Sequence, residues 1–422
     1  MSKKGKQIMM KNLFEQALSL TKPWYIKSLE FDADKKQLDI FIDFRKGSKF
    51  YYDDLKTSIK GEFPVHDTKE KTWRHLNFFQ HECYLHCRTP RVKLTDGSTR
   101  LISPPWSGIN SGFTLLFEAL IIQLCQNMPV KSVSKMINET DKKIWRILEK
   151  YIEGVLEQED YSQVSQVGID ETSRAKNHEY ITLFVDLLEK RTIYITEGKD
   201  SKTVTKFRKD LELHNGNPSQ ITDVSCDMSP AFIKGVNESF PDAEITFDKF
   251  HIIKQINEAV DQVRREEVKI HSILKNKRYI FLKNENNLTK IQIKQLNEID
   301  IPKLNLKTIR ALHIKRNFQE IYQAETKNEF VFLLKKWFWW ATHSRIEPIR
   351  KVAHTIKNHW DGVVNWKTSQ INNGILEGLN SLIQSAKSKA RGYRNTKYFK
   401  IIAYLITGKL DFYKINPEYV NL

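Results

Sequence analysis

The stretch from Val164 to His251 constrains the fold more than any other, because its hydrophobic period changes in a set order. Val164 to Asp170, Tyr180 to Leu188 and Thr192 to Glu197 are short apolar runs, the last two separated by the charged turn Glu189-Lys190-Arg191. Runs of that length and composition are strands joined as hairpins. A helical pattern over Ser201 to Leu213 follows, then a strand over Ile221 to Cys226, a helix from Pro230 to Phe240 and a strand over Ala243 to Phe247. Three linked strands and then helix, strand, helix, strand predict an α/β layer on a mixed sheet.

That order is the order of a ribonuclease-H-like core. The flanking segments read differently. Residues 1–110 are mixed and mostly β: Lys36 to Phe44 alternates apolar with polar, and Asp96-Gly97 is a hairpin signal. Pro104-Pro105 marks a boundary. Over residues 111–160 the period becomes helical. Thr114 to Asn127 stops before Met128-Pro129, a short helix covers Val130 to Ile137, and Thr140 or Asp141 caps a third helix from Lys142 to about Val155. The last two resemble a helix-turn-helix, with Lys142, Lys143 and Arg146 where a recognition helix meets DNA; three helices of an ordinary bundle are the alternative.

Residues 252–366 lack strand signals and read as long helices, an insertion carrying 22 Lys and Arg against 12 Asp and Glu. Within it, Phe330 to Trp340 is apolar and aromatic around Lys335-Lys336, a pattern expected to pack in a core, with stacking on bases as the alternative. The whole chain of 422 residues carries a formal charge of +17, which implies a polyanionic partner, nucleic acid before others. Four scattered cysteines make no disulfide framework. The opening MSKKGKQIMMKNLFEQAL has charge but no apolar block, and Phe113 to Cys125 is too short to span a bilayer, so an intracellular, non-membrane protein is expected.

Three carboxylates stand out by position. Asp170 and Asp227 end the first and fourth strands, where side chains of an open α/β sheet enter a crevice. If those strands are neighbours the two aspartates face each other, and like charges so placed call for a cation between them. Hard oxygen ligands select Mg²⁺ or Mn²⁺. Glu377, on an amphipathic helix whose polar side also carries Asn380, Ser381, Gln384 and Ser388, supplies a third acid. Glu171, Asp186, Asp223, Asp242, Glu244 and Asp248 compete with these, and Asp248 with His251 suits an accessory or merely capping role. After Glu377 comes a basic run, Lys387, Lys389, Arg391, Arg394, Lys397 and Lys400, with no acid among them, which suits phosphate contacts. Two ions about 4 Å apart would serve an in-line phosphodiester displacement.

The segments VGIDETSRAKNHEYITLFVDL, SCDMSPAFIKGV, TFDKFHIIKQINEAVDQVRR, WWATHSR and NNGILEGLNSLIQSAKSKARGYRN resemble the ISL-three family of bacterial insertion-sequence transposases, as does HDTKEKTWRHLNFFQHECYLHCRTPRV near the amino terminus. The resemblance covers nearly the whole chain. It implies a DDE transposase whose acids are Asp170, Asp227 and Glu377, with a ribonuclease-H-like domain formed by 161–251 and 367–422 around the helical insertion. It further implies two Mg²⁺ or Mn²⁺ ions per active site, binding of the element's terminal inverted repeats and of target DNA, cleavage followed by strand transfer, and at least a homodimer on the nucleoid of a bacterial cytoplasm. A structure-selective nuclease of the same fold and a silent, co-opted DNA-binding protein are the alternatives. One departure stands out: the family's two Cys-x-x-Cys pairs of a zinc ribbon are replaced by Gly47 to Asp54 and Lys93 to Gly97, so zinc is not expected and the β-domain should hold together by aromatic packing. Cys83 and Cys87, with His81 and His86, remain a possible ligand cluster.

Overall fold

A computed structural model describes residues 3–54, 59–108, 111–175, 179–299, 305–369, 371 and 374–419. Lys176 to His178 and Asn372-Asn373, which belong to two of the motifs above, lie outside the described residues. The chain forms two compact units, residues 1–156 with 410–422, and residues 157–409.

The first unit opens with helix α1 (Lys3–Ala17) and strands β1 (Trp24–Asp32), β2 (Gln37–Phe44), β3 (Lys49–Asp54), β4 (Ile59–Phe78), β5 (His81–Lys93) and β6 (Thr99–Leu101). They form one sheet in the order β1-β2-β5-β4-β3, with β6 on β5. Strands β2 and β5 run parallel, pairing Leu38 with Cys83, Ile40 with Leu85 and Ile42 with Cys87. All six are buried, as the period of two requires of one sheet face. Trp24 lies 5.1–5.8 Å from the rings of Phe44, Phe50 and Trp106. The expected aromatic packing therefore holds this sheet, between the turns at Gly47 and Gly97 whose positive φ suits glycine.

Three helices follow, α2 (Leu115–Asn127), α3 (Val130–Met136) and α4 (Asp141–Leu156). Thr114 caps α2, its Oγ accepting from the Phe117 amide, and Asn138 turns the chain out of α3 at φ +55°. Buried Glu118 accepts a 2.6 Å hydrogen bond from the Tyr151 hydroxyl, and Asn416 donates to that same hydroxyl at 3.0 Å and to the Leu115 carbonyl at 2.8 Å. Residues 410–419 thus belong with α2 and α4, where the sequence reading puts them in the catalytic domain. A buried carboxyl needs hydrogen-bond partners, and Asn416 completes its network from the far end of the chain.

The second unit contains the expected mixed sheet. Its elements are β7 (Gln166–Ala175), β8 (Glu179–Asp186), β9 (Arg191–Glu197), α5 (Ser201–Leu213), β10 (Asp223–Cys226), α6 (Pro230–Ser239), β11 (Glu244–Phe247) and α7 (Lys249–Glu267). The strand order is β11-β10-β7-β8-β9, with β7, β10 and β11 parallel and β7, β8 and β9 antiparallel. Val167, Ile169, Phe184, Val224 and Cys226 enter one core with Val204, Phe207 and Phe232 of α5 and α6.

Past β11 the chain is helical among the described residues: α8 (Arg278–Leu282), α9 (Lys290–Ile299), α10 (Lys307–Ile321), α11 (Lys327–His343), α12 (Glu347–Asn358) and α13 (Trp360–Ser369) follow. Fully buried Lys315 anchors α8, its ammonium reaching the carbonyls of Phe281, Leu282 and Lys283 at 3.0, 2.8 and 3.3 Å. The Phe330 to Trp340 stretch divides: Phe330, Leu334 and Trp337 are buried as expected, but Phe332, Trp339 and Trp340 are exposed. Helices α14 (Gly374–Lys389) and α15 (Thr396–Thr407) then return to the sheet, where the Tyr404 hydroxyl accepts from the Ile195 amide at 2.8 Å.

Candidate active site

Register places the aspartates. Ser225 of β10 pairs with Gly168 of β7 on one side and with Thr246 of β11 on the other. Continued by two residues, that register leads to Asp170 within β7 and to Asp227 and Asp248 just past the ends of β10 and β11, on neighbouring strands of one sheet. The expectation that the first and fourth strands are neighbours is met. Asp227 and Asp248 also act as local caps, as strand-end aspartates do: Asp227 accepts from the Ser229 amide at 3.0 Å, and Asp248 from the Phe250 amide at 2.8 Å at the start of α7.

Helix α14 lies along β7 and is keyed to it. A Cβ on Gly168 would come within 2.7 Å of Leu376, so only glycine lets the helix so close. Asn380 donates to the Asp170 carboxylate. Gln384 donates to the Thr172 hydroxyl at 2.6 Å and to the Ser173 carbonyl at 3.1 Å. Four helical residues rise about 6 Å and two strand residues about 6.6 Å, which keeps contacts in step along the pair. Glu377 is exposed on α14, three residues before Asn380, and so neighbours it on the helix surface.

The electrostatics are those of crowded acids. Burial holds the Asp170 carboxyl above the usual carboxylate range, nearby Asp248 adds to it, and the Glu171 amide, His251 and Asn380 oppose it. Glu171 is raised as well, first by burial and then by Asp227 and Asp170 against Lys199. His251 lies 3.1 Å from Asp248 and is raised, chiefly by that partner, with Asp170 and Asp227 contributing. The Asn380 Oδ1 is buried with no hydrogen-bond partner among the described residues. Among the described residues no three His, Cys, Asp or Glu side chains converge at ligating distance. The donor set still suits a hard divalent cation: carboxylates on neighbouring strands, one unusually basic, beside an orphaned amide oxygen.

The basic candidates divide. Lys142 and Arg146 are exposed on α4, whereas Lys143 is 2.8 Å from Glu139. Lys387 is committed internally, to the Ser173 carbonyl at 2.5 Å and to Gln384 at 3.2 Å. Lys389, Arg391 and Arg394 are exposed beyond it. Arg174 donates to the Tyr393 and Arg394 carbonyls at 2.8 and 2.9 Å, a tie across the site that sequence reading missed. Lys249, also missed, sits 4.5 Å over the Tyr322 ring and 5.3 Å from that of Trp366, directly after Asp248. Its only signal is adjacency to Asp248. Asn380 had a stronger one, the spacing of three from Glu377.

In the β-domain, Cys83 and Cys87 face the core, and burial pushes both thiols up to about 12. His86 is displaced by one residue and so points to the other sheet face, 2.6 Å from Asp39 and 3.0 Å from Thr72. His81 packs edge-on against Phe31. Cysteines and His86 on opposite faces do not make one ligand set.

Known proteins bear directly on this arrangement. A transposase model of the ISL3 DDE type matches residues 167–403, a range that includes Asp170, Asp227, Asp248 and Glu377. The helix-turn-helix domain of transposase family ISL3 matches residues 102–152, and the zinc-finger of the IS204/IS1001/IS1096/IS1165 transposases matches residues 61–93. The chain belongs to the ISL3 family of transposases. It is 26% identical to the transposase for insertion sequence element IS1001 of Bordetella parapertussis, over 79% of this chain and 84% of the relative. It is 25% identical to that for IS1557 of Mycobacterium tuberculosis, over 93% and 94%.

Proposed function

We propose that this insertion-sequence transposase cuts and joins DNA at a ribonuclease-H-like DDE site, in which Asp170, Asp227 and Glu377 hold two Mg²⁺ or Mn²⁺ ions. The observation that carries the reading is the placement of Asp170 and Asp227 on neighbouring strands, with α14 keyed to β7 beside them. The strand order, first strand central and fourth parallel to it, supports the fold assignment. When bound, the ions would polarise the phosphodiester and activate first water and then a 3′-hydroxyl. Asp170 is held for that task by the Glu171 amide at 2.8 Å and by Asn380, which fix the carboxylate plane. Asp248 and His251 are accessory: Asp248 favours a proton on the imidazole, and the ring so charged would offset part of the negative charge when the acids are unloaded.

Residues 1–110 and the helix-turn-helix of 111–160 would read the terminal inverted repeats, with Lys142 and Arg146 foremost at the DNA. Lys389, Arg391 and Arg394 would hold phosphates beside the catalytic residues of 161–251 and 367–409, and the insertion of 252–366 would add basic surface. Two ends must be held together, so a homodimer or larger assembly is the working form, at the nucleoid of a bacterial cytoplasm. No helix among the described residues is long and apolar enough to cross a membrane.

Cleavage of DNA carrying the flanking inverted repeats, with Mg²⁺, tests this. Asp227→Ala is expected to lower cleavage by about a thousandfold or more, as loss of a metal clamp does, while binding is kept. Cleavage equal to wild type would remove Asp227 from the site.

A further inference from the structure

The outward face of α11 combines exposed aromatic rings with cations. Phe332, Trp339 and Trp340 are 55, 64 and 39% exposed. Lys335, Lys336 and His343 share that face, at the spacings of three and four that bring helix side chains together. The groups are already ordered: the Lys336 ammonium sits 4.4 Å over the Phe332 ring, and the Trp339 and His343 rings stack at 4.5 Å and 21°. His343 Nδ1 is 2.8 Å from the Trp339 carbonyl, which holds the stack in place. From Phe330 to Ile346 the sequence contains no Asp or Glu.

Single exposed aromatics are ordinary, but a row of them with cations between is not. Flat rings with one side open to water stack on other flat rings, and lysines alternating with them suit phosphates spaced along the same strand. An acid-free basic face disfavours a second copy of itself. We propose that this face of α11 is a platform on which unpaired bases of DNA stack, Trp339 and Trp340 carrying the bases and Lys335 and Lys336 the backbone. The proposal rests on the transposase reading for the identity of the polyanion, and paired DNA would not serve, because its bases hide their faces.

The test uses the full chain without metal, so that cleavage plays no part. Binding is measured for a blunt duplex and for the same duplex with an unpaired tail carrying 2-aminopurine. Wild type is expected to bind the tailed DNA more tightly and to quench the 2-aminopurine. Trp339→Ala with Trp340→Ala should weaken tail binding by roughly ten- to a hundredfold and abolish the quench, with blunt-duplex affinity unchanged. Trp339→Phe should keep most of the tail affinity. Lys335→Glu with Lys336→Glu should weaken it without removing a ring, and this variant decides the matter if the double alanine chain fails to fold. Unchanged tail affinity in these variants overturns the proposal, and so does a wild-type dimer in sedimentation that the tryptophan substitutions dissociate. Failure of the DDE assignment would show separately, as cleavage by Asp227→Ala.

Discussion

At the scale of single residues, burial decides what each ionisable group can do. His75 on β4 is mostly buried beside Arg74, and burial first, then that guanidinium, lower its pKa from 6.5 to about 4. Its Nδ1 lies 2.9 Å from the Thr114 hydroxyl that caps α2. A base harder to protonate when folded contributes stability that is full above pH 6.5 and is lost as pH falls toward 4. The difference corresponds to up to about 3 kcal/mol. Urea unfolding across that range should show this loss, and His75→Gln should flatten it; an equal slope in both proteins would contradict the assignment. Asp227 was legible because it follows the end of β10, whereas Asp170, expected to end the first strand, lies inside β7, which continues in its pairing with β8 to Ala175. Asn380 was visible only as part of a polar helix face, since nothing local says that a carboxylate lies opposite.

At the scale of elements, the contact of α14 with β7 sets the site. Gly168 has no side chain where the Leu376 and Leu187 methyls come within 2.7–2.8 Å of a would-be Cβ. Gly168→Val should cost about 1–3 kcal/mol by overpacking. It should also lift α14, taking Asn380 off Asp170 and displacing Glu377 with the helix. Cleavage should then fall at least tenfold at a temperature where the protein remains folded by circular dichroism. Cleavage that falls only with the folded fraction would show that α14 position is unimportant. Element types were largely readable from period. The mixed burial of α11 was not, because an aromatic run has the same composition whether one face or all of it is covered.

At the scale of the whole molecule, the +17 charge predicts steep salt dependence of DNA binding. Arg146→Ala should reduce the slope of log affinity against log salt by about one. Lys143→Ala should change it less, because its ammonium is already on Glu139. Equal slopes for both variants would argue that α4 is not at the phosphates. The two-unit division gives this contrast its logic: if the proposed roles hold, substitutions on α4 should alter binding and those on the sheet of the second unit should alter chemistry.

Periodicity and charge determined the layer type and the expectation of a polyanionic partner, because these depend on local spacing and composition alone. Tertiary structure decided the rest. Register across three parallel strands adds Asp248 to the aspartate pair, and Asn416 joins the helices of the first unit from near the carboxy terminus. It also settled that Lys387 is spent on a carbonyl while Trp339 stands in water. A spacing says which face a side chain occupies, but only the neighbours that pack there say whether the face is covered.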